Sequence, residues 1–230
     1  LYHFYPGTTA LTVGFWSCNF NCPWCQNYDI SKELPQFGDY YTPDNFVKLA
    51  LKNHCHGISL SFNEPTLFLE WGIEAFRISK QRGLNNTIVT NGYMTKLALN
   101  LFIDSGLNGA NVDIKGDKEA VRKYCGIDDE KVWRNCKIIK EKNVHLEITT
   151  LIIPAVNDKL SIISQIGKRI IDELGEFTPW HLTRYFPAYK FSQPPTPTSF
   201  LKEAYQRAKE LGLRFVYLGN VSGDRHGDTY

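Results

Sequence analysis

The chain has 230 residues, 43% of them hydrophobic and 22% charged, the composition of an ordinary globular protein with one sizeable core. A formal net charge of +2 signals neither nucleic-acid binding nor an acidic-substrate role. No apolar run approaches the ~18 residues of a membrane span, and no Pro/Gly/Ser-rich linker divides the chain, so residues 1–230 read as one domain.

The elements follow in order. Ala10–Phe15 reads as a buried strand, and a cysteine loop comes directly after it. Thr42-Pro43 caps a helix running to about Lys52. Gly57–Phe62 is a second strand, broken by Asn63-Glu64-Pro65. A helix over Thr66–Arg82 carries Leu69, Ile73 and Phe76 on one stripe and stops at Gly83. Asn86–Thr90 is a strand ended by Asn91-Gly92, and Thr95–Asp104 is helical. Gly109–Ile114 is a fourth strand, followed by a helix across Asp129–Lys142. Val144–Ile153 is a fifth strand, after which Asp158 caps a helix to about Leu174. Pro179–Tyr185, a Pro-rich loop, a helix over Thr198–Leu211 and a short strand at Phe215–Leu218 complete the pattern.

Six strand–helix units argue for a parallel sheet with helices outside. A closed eight-fold barrel needs about 250 residues, so the expectation is an open α/β fold, a partial (β/α)6 TIM-like barrel. In such folds the chemistry sits at the carboxyl ends of the strands. The polar punctuation of this chain lies there, at the cysteine loop, Asn63-Glu64, Thr90-Asn91, Asp113-Lys115 and His181 to Arg184.

The loop places Cys18, Cys22 and Cys25 at C-x3-C-x2-C spacing. A [4Fe–4S] cluster normally takes four cysteines, so three leave one iron open to a ligand. Two other tenants fit the spacing. Zinc takes thiolates at similar intervals, with His54-Cys55-His56 offering a fourth ligand, and Cys55, Cys125 or Cys136 would close an electron-transfer cluster. Three clustered and three scattered cysteines do not form a disulfide framework. With no secretory leader pattern, they predict a reducing cytoplasm. The start at Leu1 and the stop at Gly227-Asp228-Thr229-Tyr230 read as trimmed ends.

The loop, together with Ser61–Pro65, Val89–Tyr93, Asp113–Gly116, Leu146–Thr150 and Trp180–Pro187, resembles the radical S-adenosylmethionine (SAM) superfamily. Within it the chain is similar to the activating enzymes of glycyl-radical enzymes, pyruvate formate-lyase activating enzyme among them, and most similar to the AmmeMemoRadiSam-type enzymes. The resemblance implies a radical SAM core with a [4Fe–4S] cluster on Cys18, Cys22 and Cys25, whose open iron chelates the amino and carboxylate groups of SAM. One electron, from a donor such as ferredoxin or flavodoxin, then cleaves SAM to methionine and a 5′-deoxyadenosyl radical that takes hydrogen from a substrate. That substrate is a glycyl-radical enzyme or another macromolecule.

No protein acid or base is implied as catalytic, because the cofactor carries the chemistry. The same resemblance puts Trp24 beside the adenine and Glu64 against the SAM ammonium. Phe62 and Asn63 stand where the family has two glycines. Thr90 and Asn91 contact ribose or carboxylate, Asp113 orients SAM or a monovalent cation, and Lys115 neutralises the SAM carboxylate. Thr149, His181 and Arg184 face the same mouth. Each has a plainer reading: a plugging aromatic for Trp24, a turn for Asn91-Gly92, a helix cap for Asp113, a structural histidine for His181. Cys55, Cys125 and Cys136 are expected to be dispensable for the cluster. Family members often continue into a cysteine-bearing tail, which this sequence does not reach.

Overall fold

Seven parallel strands form one sheet in the computed structural model, which describes residues 1, 3–33 and 38–221. They are β1 (Ala10–Val13), β2 (Gly57–Leu60), β3 (Asn85–Thr90), β4 (Gly109–Asp113), β5 (His145–Ile152), β6 (Trp180–Arg184) and β7 (Val216–Gly219). Their spatial order is their chain order, with β1 and β7 as the edges. The sheet is the open, partial barrel expected from the strand–helix rhythm. The residues read as trimmed at the C-terminus lie outside the described set.

Helices α2 (Pro43–Lys52), α3 (Leu69–Gln81), α4 (Lys96–Ser105), α6 (Glu130–Glu141), α7 (Leu160–Leu174) and α8 (Thr198–Glu210) each follow a strand. Two short helices interrupt the rhythm, α1 (Tyr28–Ser31) in the cysteine loop and α5 (Lys118–Cys125) after β4. The second half of each strand–helix unit supplies the core. Outward-facing Ile58, Leu60, Ile88, Val112, Leu146, Ile148 and Leu182 pack against helix residues such as Phe76, Phe102, Trp133, Ile139, Ile166 and Leu201, all buried. At roughly 1.5–3 kcal/mol per large apolar side chain, this layer supplies the main stabilisation.

The inner face is different. Parallel strands covered on both faces read as continuous apolar runs. Here alternate residues facing inward are polar: Thr12, Ser59, Asn111, Asp113, Thr149, His181, Thr183 and Tyr217 wall a central cavity of about 550 Å³. The N-terminal segment, unassigned in the sequence, approaches the amino end of this lumen. Leu1 and Phe4 lie beside Gly109, and the His3 ring stacks on Tyr217 at 3.6 Å between centroids.

Strands β1 and β2 each end two residues earlier than expected, and three larger departures follow. Helix α5 was not foreseen, although Asp117 caps it through Ala120 N–H at 2.9 Å and Gly126 ends it at φ 74°. Half of its eight residues are charged and only Ala120, Val121 and Cys125 are buried, so the stretch is short and the cap pair is its clearest mark. Residues Pro65–Phe68 form a separate 3₁₀ turn before α3, started by Glu64. Asp158 does not cap α7, which has Lys159 at that position; its carboxylate instead accepts from Ala155 N–H at 3.0 Å.

Candidate active site

The cysteine loop is fastened to two neighbouring strand ends. Asn63, after β2, accepts from Phe15 N–H at 3.1 Å and donates to Ser17 C=O at 2.9 Å. Asn91, after β3, donates to Asn19 Oδ1 at 2.7 Å, and Asn19 donates to Tyr93 C=O at 2.9 Å. Lys32 Nζ donates to Phe20 C=O. Phe62 stands at φ 72°, a conformation glycine takes freely and other residues seldom do. Its carbonyl accepts from Asn27 Nδ2 at 2.5 Å, and its ring lies so close to Gly14 that a Cβ there would approach it to 3.0 Å. An aromatic thus keeps glycine's backbone shape at this turn.

Cys18, Cys22 and Cys25 line one cavity of about 300 Å³ at the carboxyl ends of the strands. Trp24, Asn63, Glu64, Thr90, Asn91, Asp113, Lys115 and Thr149 share it, so the structure gathers every expected site residue there except His181 and Arg184. Phe20 N–H points at Cys18 Sγ at 3.4 Å, and Asn91 Nδ2 lies 3.8 Å from the same sulfur. Burial pushes the Cys18 thiol up, opposed by Phe20 N–H and Lys32. Cys22 Sγ sits 3.5 Å from Cys125 Sγ, both buried. That contact holds Cys22 below the usual thiol range against its burial, with Lys115 and Lys32 assisting. Trp24 is buried between Tyr124 and Phe191, at centroid distances of 5.4 and 5.5 Å.

Glu64 is 1% exposed and ties the rim together. Its carboxylate accepts from Thr66 N–H at 3.1 Å, Thr66 Oγ1 at 2.5 Å, Thr90 Oγ1 at 2.8 Å and Asn91 N–H at 2.9 Å. Burial raises its pKa, and these uncharged donors only partly offset that. Asp113 pairs with Lys115 at 2.8 Å. Burial alone would lower the Lys115 pKa, but Asp113 and the thiols of Cys22 and Cys125 hold it above its ordinary range.

The two cavities share Ser61, Val89, Asp113, Thr149, Thr183 and Asn220, so the mouth leads into the lumen. His181 belongs to the deeper chamber. Its Nε2 lies 2.8 Å from Glu147 Oε2, while His145 Nε2 and His3 N–H reach Glu147 Oε1 at 3.1 and 2.9 Å. Burial raises the Glu147 pKa, but the histidine contacts outweigh it and hold the carboxyl far below its usual range. Arg184 lines neither cavity. It follows inward-facing Thr183 and points the other way, donating to Thr196 C=O at 2.8 Å and lying over the Phe186 ring at 4.9 Å.

Sequence reasoning set Cys125 among the dispensable cysteines and missed Lys32, Asn111 and the Glu147 cluster. An acid inside the otherwise apolar Leu146-Glu147-Ile148 was the signal for the last. Two of the scattered ligand candidates lie away from the cysteine loop. His56 accepts from Thr9 N–H at the amino end of the barrel, opposite the cysteine loop, and Cys55 lies beside it in sequence. Cys136 sits fully buried on α6 in the outer core, where burial pushes its thiol up to about 12.

The Radical SAM superfamily model matches residues 17–161, from the cysteine loop into α7. This chain belongs to the radical SAM superfamily. An uncharacterised protein of Methanocaldococcus jannaschii is 37% identical over 233 residues, covering 100% of this chain and 69% of its own. A second protein of that organism, provisionally named a glycyl-radical enzyme activating enzyme, is 25% identical over 73% of this chain and 71% of its own. Among solved structures, a domain of pyruvate-formate lyase-activating enzyme from Bacteroides vulgatus aligns with TM-score 0.62 at 18% identity, over 71% of this chain and 99% of that domain. Streptococcus suis SuiB bound to S-adenosylmethionine aligns with TM-score 0.74 at 11% identity, over 94% of this chain and 52% of SuiB. The fold is therefore the radical SAM partial barrel, and the chain is a radical SAM enzyme. Among the described residues no helix is long and apolar enough to cross a membrane.

Proposed function

We propose that Cys18, Cys22 and Cys25 hold a [4Fe–4S] cluster with one open iron, and that SAM binds across the mouth beside it. The observation that carries this reading is that the three thiols and the polar rim wall one cavity, which opens into a polar lumen. The donor set fits the cluster: three thiols, an N–H aimed at Cys18 Sγ and two lysines that favour thiolate in Cys22. When bound, the cluster supplies one electron for reductive cleavage of SAM to methionine and a 5′-deoxyadenosyl radical.

The chain's residues bind, orient and shield. Lys115 offers a cation to the SAM carboxylate, and Trp24 offers an apolar face to the adenine. Glu64 lines the cavity with its oxygens already committed to Thr66, Thr90 and Asn91, so the SAM ammonium meets it only in competition with those donors. Thr149 and His181 lie on the path into the lumen, where the substrate's hydrogen is taken. Arg184 supports the wall through Thr196. The substrate reading is a glycyl-radical enzyme or another macromolecule, supported by the relative named for that activation and by a lumen bounded by the two edge strands. A ferredoxin- or flavodoxin-type donor in a reducing cytoplasm completes the scheme.

The test is anaerobic reconstitution followed by EPR of the reduced protein with and without SAM. The expected result is about four irons and four sulfides per chain and a signal that changes when SAM is added. A loaded cluster whose signal ignores SAM would overturn the open-iron reading.

A further inference from the structure

The scattered cysteines do not share one fate. Cys125 ends α5, whose apolar stripe Val121 and Cys125 packs onto the cysteine loop at Phe20, Cys22 and Trp24. The Sγ atoms of Cys22 and Cys125 are 3.5 Å apart, well inside hydrogen-bond range for sulfur, and the residues are only 7% and 4% exposed. Water therefore does not compete for the contact. Ligands on two different irons of a cluster point away from each other, so their sulfurs are not in contact. The contact seen here is that of a neighbour hydrogen-bonded to Cys22, not of two ligands on separate irons. A cysteine that ligates iron does so as thiolate and can only accept a hydrogen bond. The proton between the two sulfurs then belongs to Cys125.

We propose that Cys125 is a positioning residue of the cluster site, donating an S–H···S hydrogen bond to the Cys22 thiolate and thereby setting the cluster's reduction potential. The inference rests on the assignment of Cys22 as a cluster ligand. A hydrogen bond to a ligand sulfur withdraws electron density from the iron and favours the reduced cluster, which carries one more negative charge. Losing the bond makes the cluster harder to reduce. The neighbouring Lys115 acts in the same direction through its charge, so the two form one device on one ligand. Phe20 N–H and Asn91 serve Cys18 in the equivalent way.

The experiment compares the reconstituted full chain with Cys125→Ala and Cys125→Ser. All three are expected to carry the same iron and sulfide. In an EPR-monitored redox titration, Cys125→Ala shifts the midpoint to more negative potential, and Cys125→Ser, which keeps a donor, falls between. Pulsed EPR of the unmodified protein after transfer to D2O is expected to show an exchangeable proton near the cluster that Cys125→Ala lacks. If Cys125→Ser folds poorly this second readout still stands, and if Cys125→Ala folds poorly the midpoint of Cys125→Ser carries the test. An unchanged midpoint with no such proton overturns the proposal, and so does loss of iron from a folded Cys125→Ala protein, which would make Cys125 a ligand. Failure of the underlying assignment looks different, since the unmodified protein itself would then take up no cluster.

Discussion

Two buried glutamates, one beyond the carboxyl end of β2 and one within β5, divide the molecule into rim and floor by their surroundings. Glu64, at the rim, is held by threonine hydroxyls and backbone N–H groups, and burial raises its pKa. Glu147, near the floor, is held by His3, His145 and His181, and its pKa is depressed. The residue type is the same; the partners decide the charge. The rim keeps uncharged donors around its acid, while Lys115 and Lys32 place positive charge beside the thiols. The floor concentrates titratable groups where the N-terminal segment meets the lumen.

The largest expected effect breaks the rim at its metal ligands. Cys18→Ala, Cys22→Ala and Cys25→Ala should each reduce iron from about four per chain to near none, measured by colorimetric iron and sulfide assay, whereas Cys55→Ala and Cys136→Ala should leave it unchanged. Next, Glu64→Ala should destabilise the protein by about 3 kcal/mol, because Thr66 and Asn91 N–H lose their buried acceptor. Urea unfolding measures this, and the variant should still load its cluster. At the floor, Glu147→Gln should cost about 2 kcal/mol near neutral pH by weakening charge-assisted hydrogen bonds.

The two glutamates also separate by pH. A depressed folded pKa means that the unfolded chain binds more protons, so Glu147 stabilises above the ordinary carboxylate range and that stability is lost as pH falls below it. Burial also lowers the pKa of His3, so its contribution disappears as pH falls below about 6.5. Glu64, raised, behaves oppositely: its contribution is lost as pH rises above the ordinary carboxylate range. Urea midpoints across that range should therefore lose their acid-side fall in Glu147→Gln and their compensating rise in Glu64→Gln. The smallest effect is at Phe62. Phe62→Gly removes left-handed strain and should raise unfolding free energy by about 1 kcal/mol. A fall instead would show that the ring's packing on Gly14 outweighs the strain.

Much of this was legible in the sequence because periodic signals are strong. Strand–helix alternation gave the open barrel, and the C-x3-C-x2-C loop after the first strand pointed to its mouth. What was missed depended on contacts between distant segments. Cys125 could not be told from Cys55 and Cys136 because nothing local links it to a loop 103 residues earlier. Glu147 stood inside a strand whose inward face could not be judged without its histidine partners. Arg184 was placed at the mouth by its position near a strand end, and the alternation of β6 turns it away from the lumen.

The most direct test of the central claim is product analysis. The reconstituted protein, reduced anaerobically by a strong one-electron reductant in the presence of SAM, should release methionine and 5′-deoxyadenosine in equal amounts, slowly even without substrate. Cys22→Ala should release neither. A protein with a full, reducible cluster that leaves SAM intact would contradict the account.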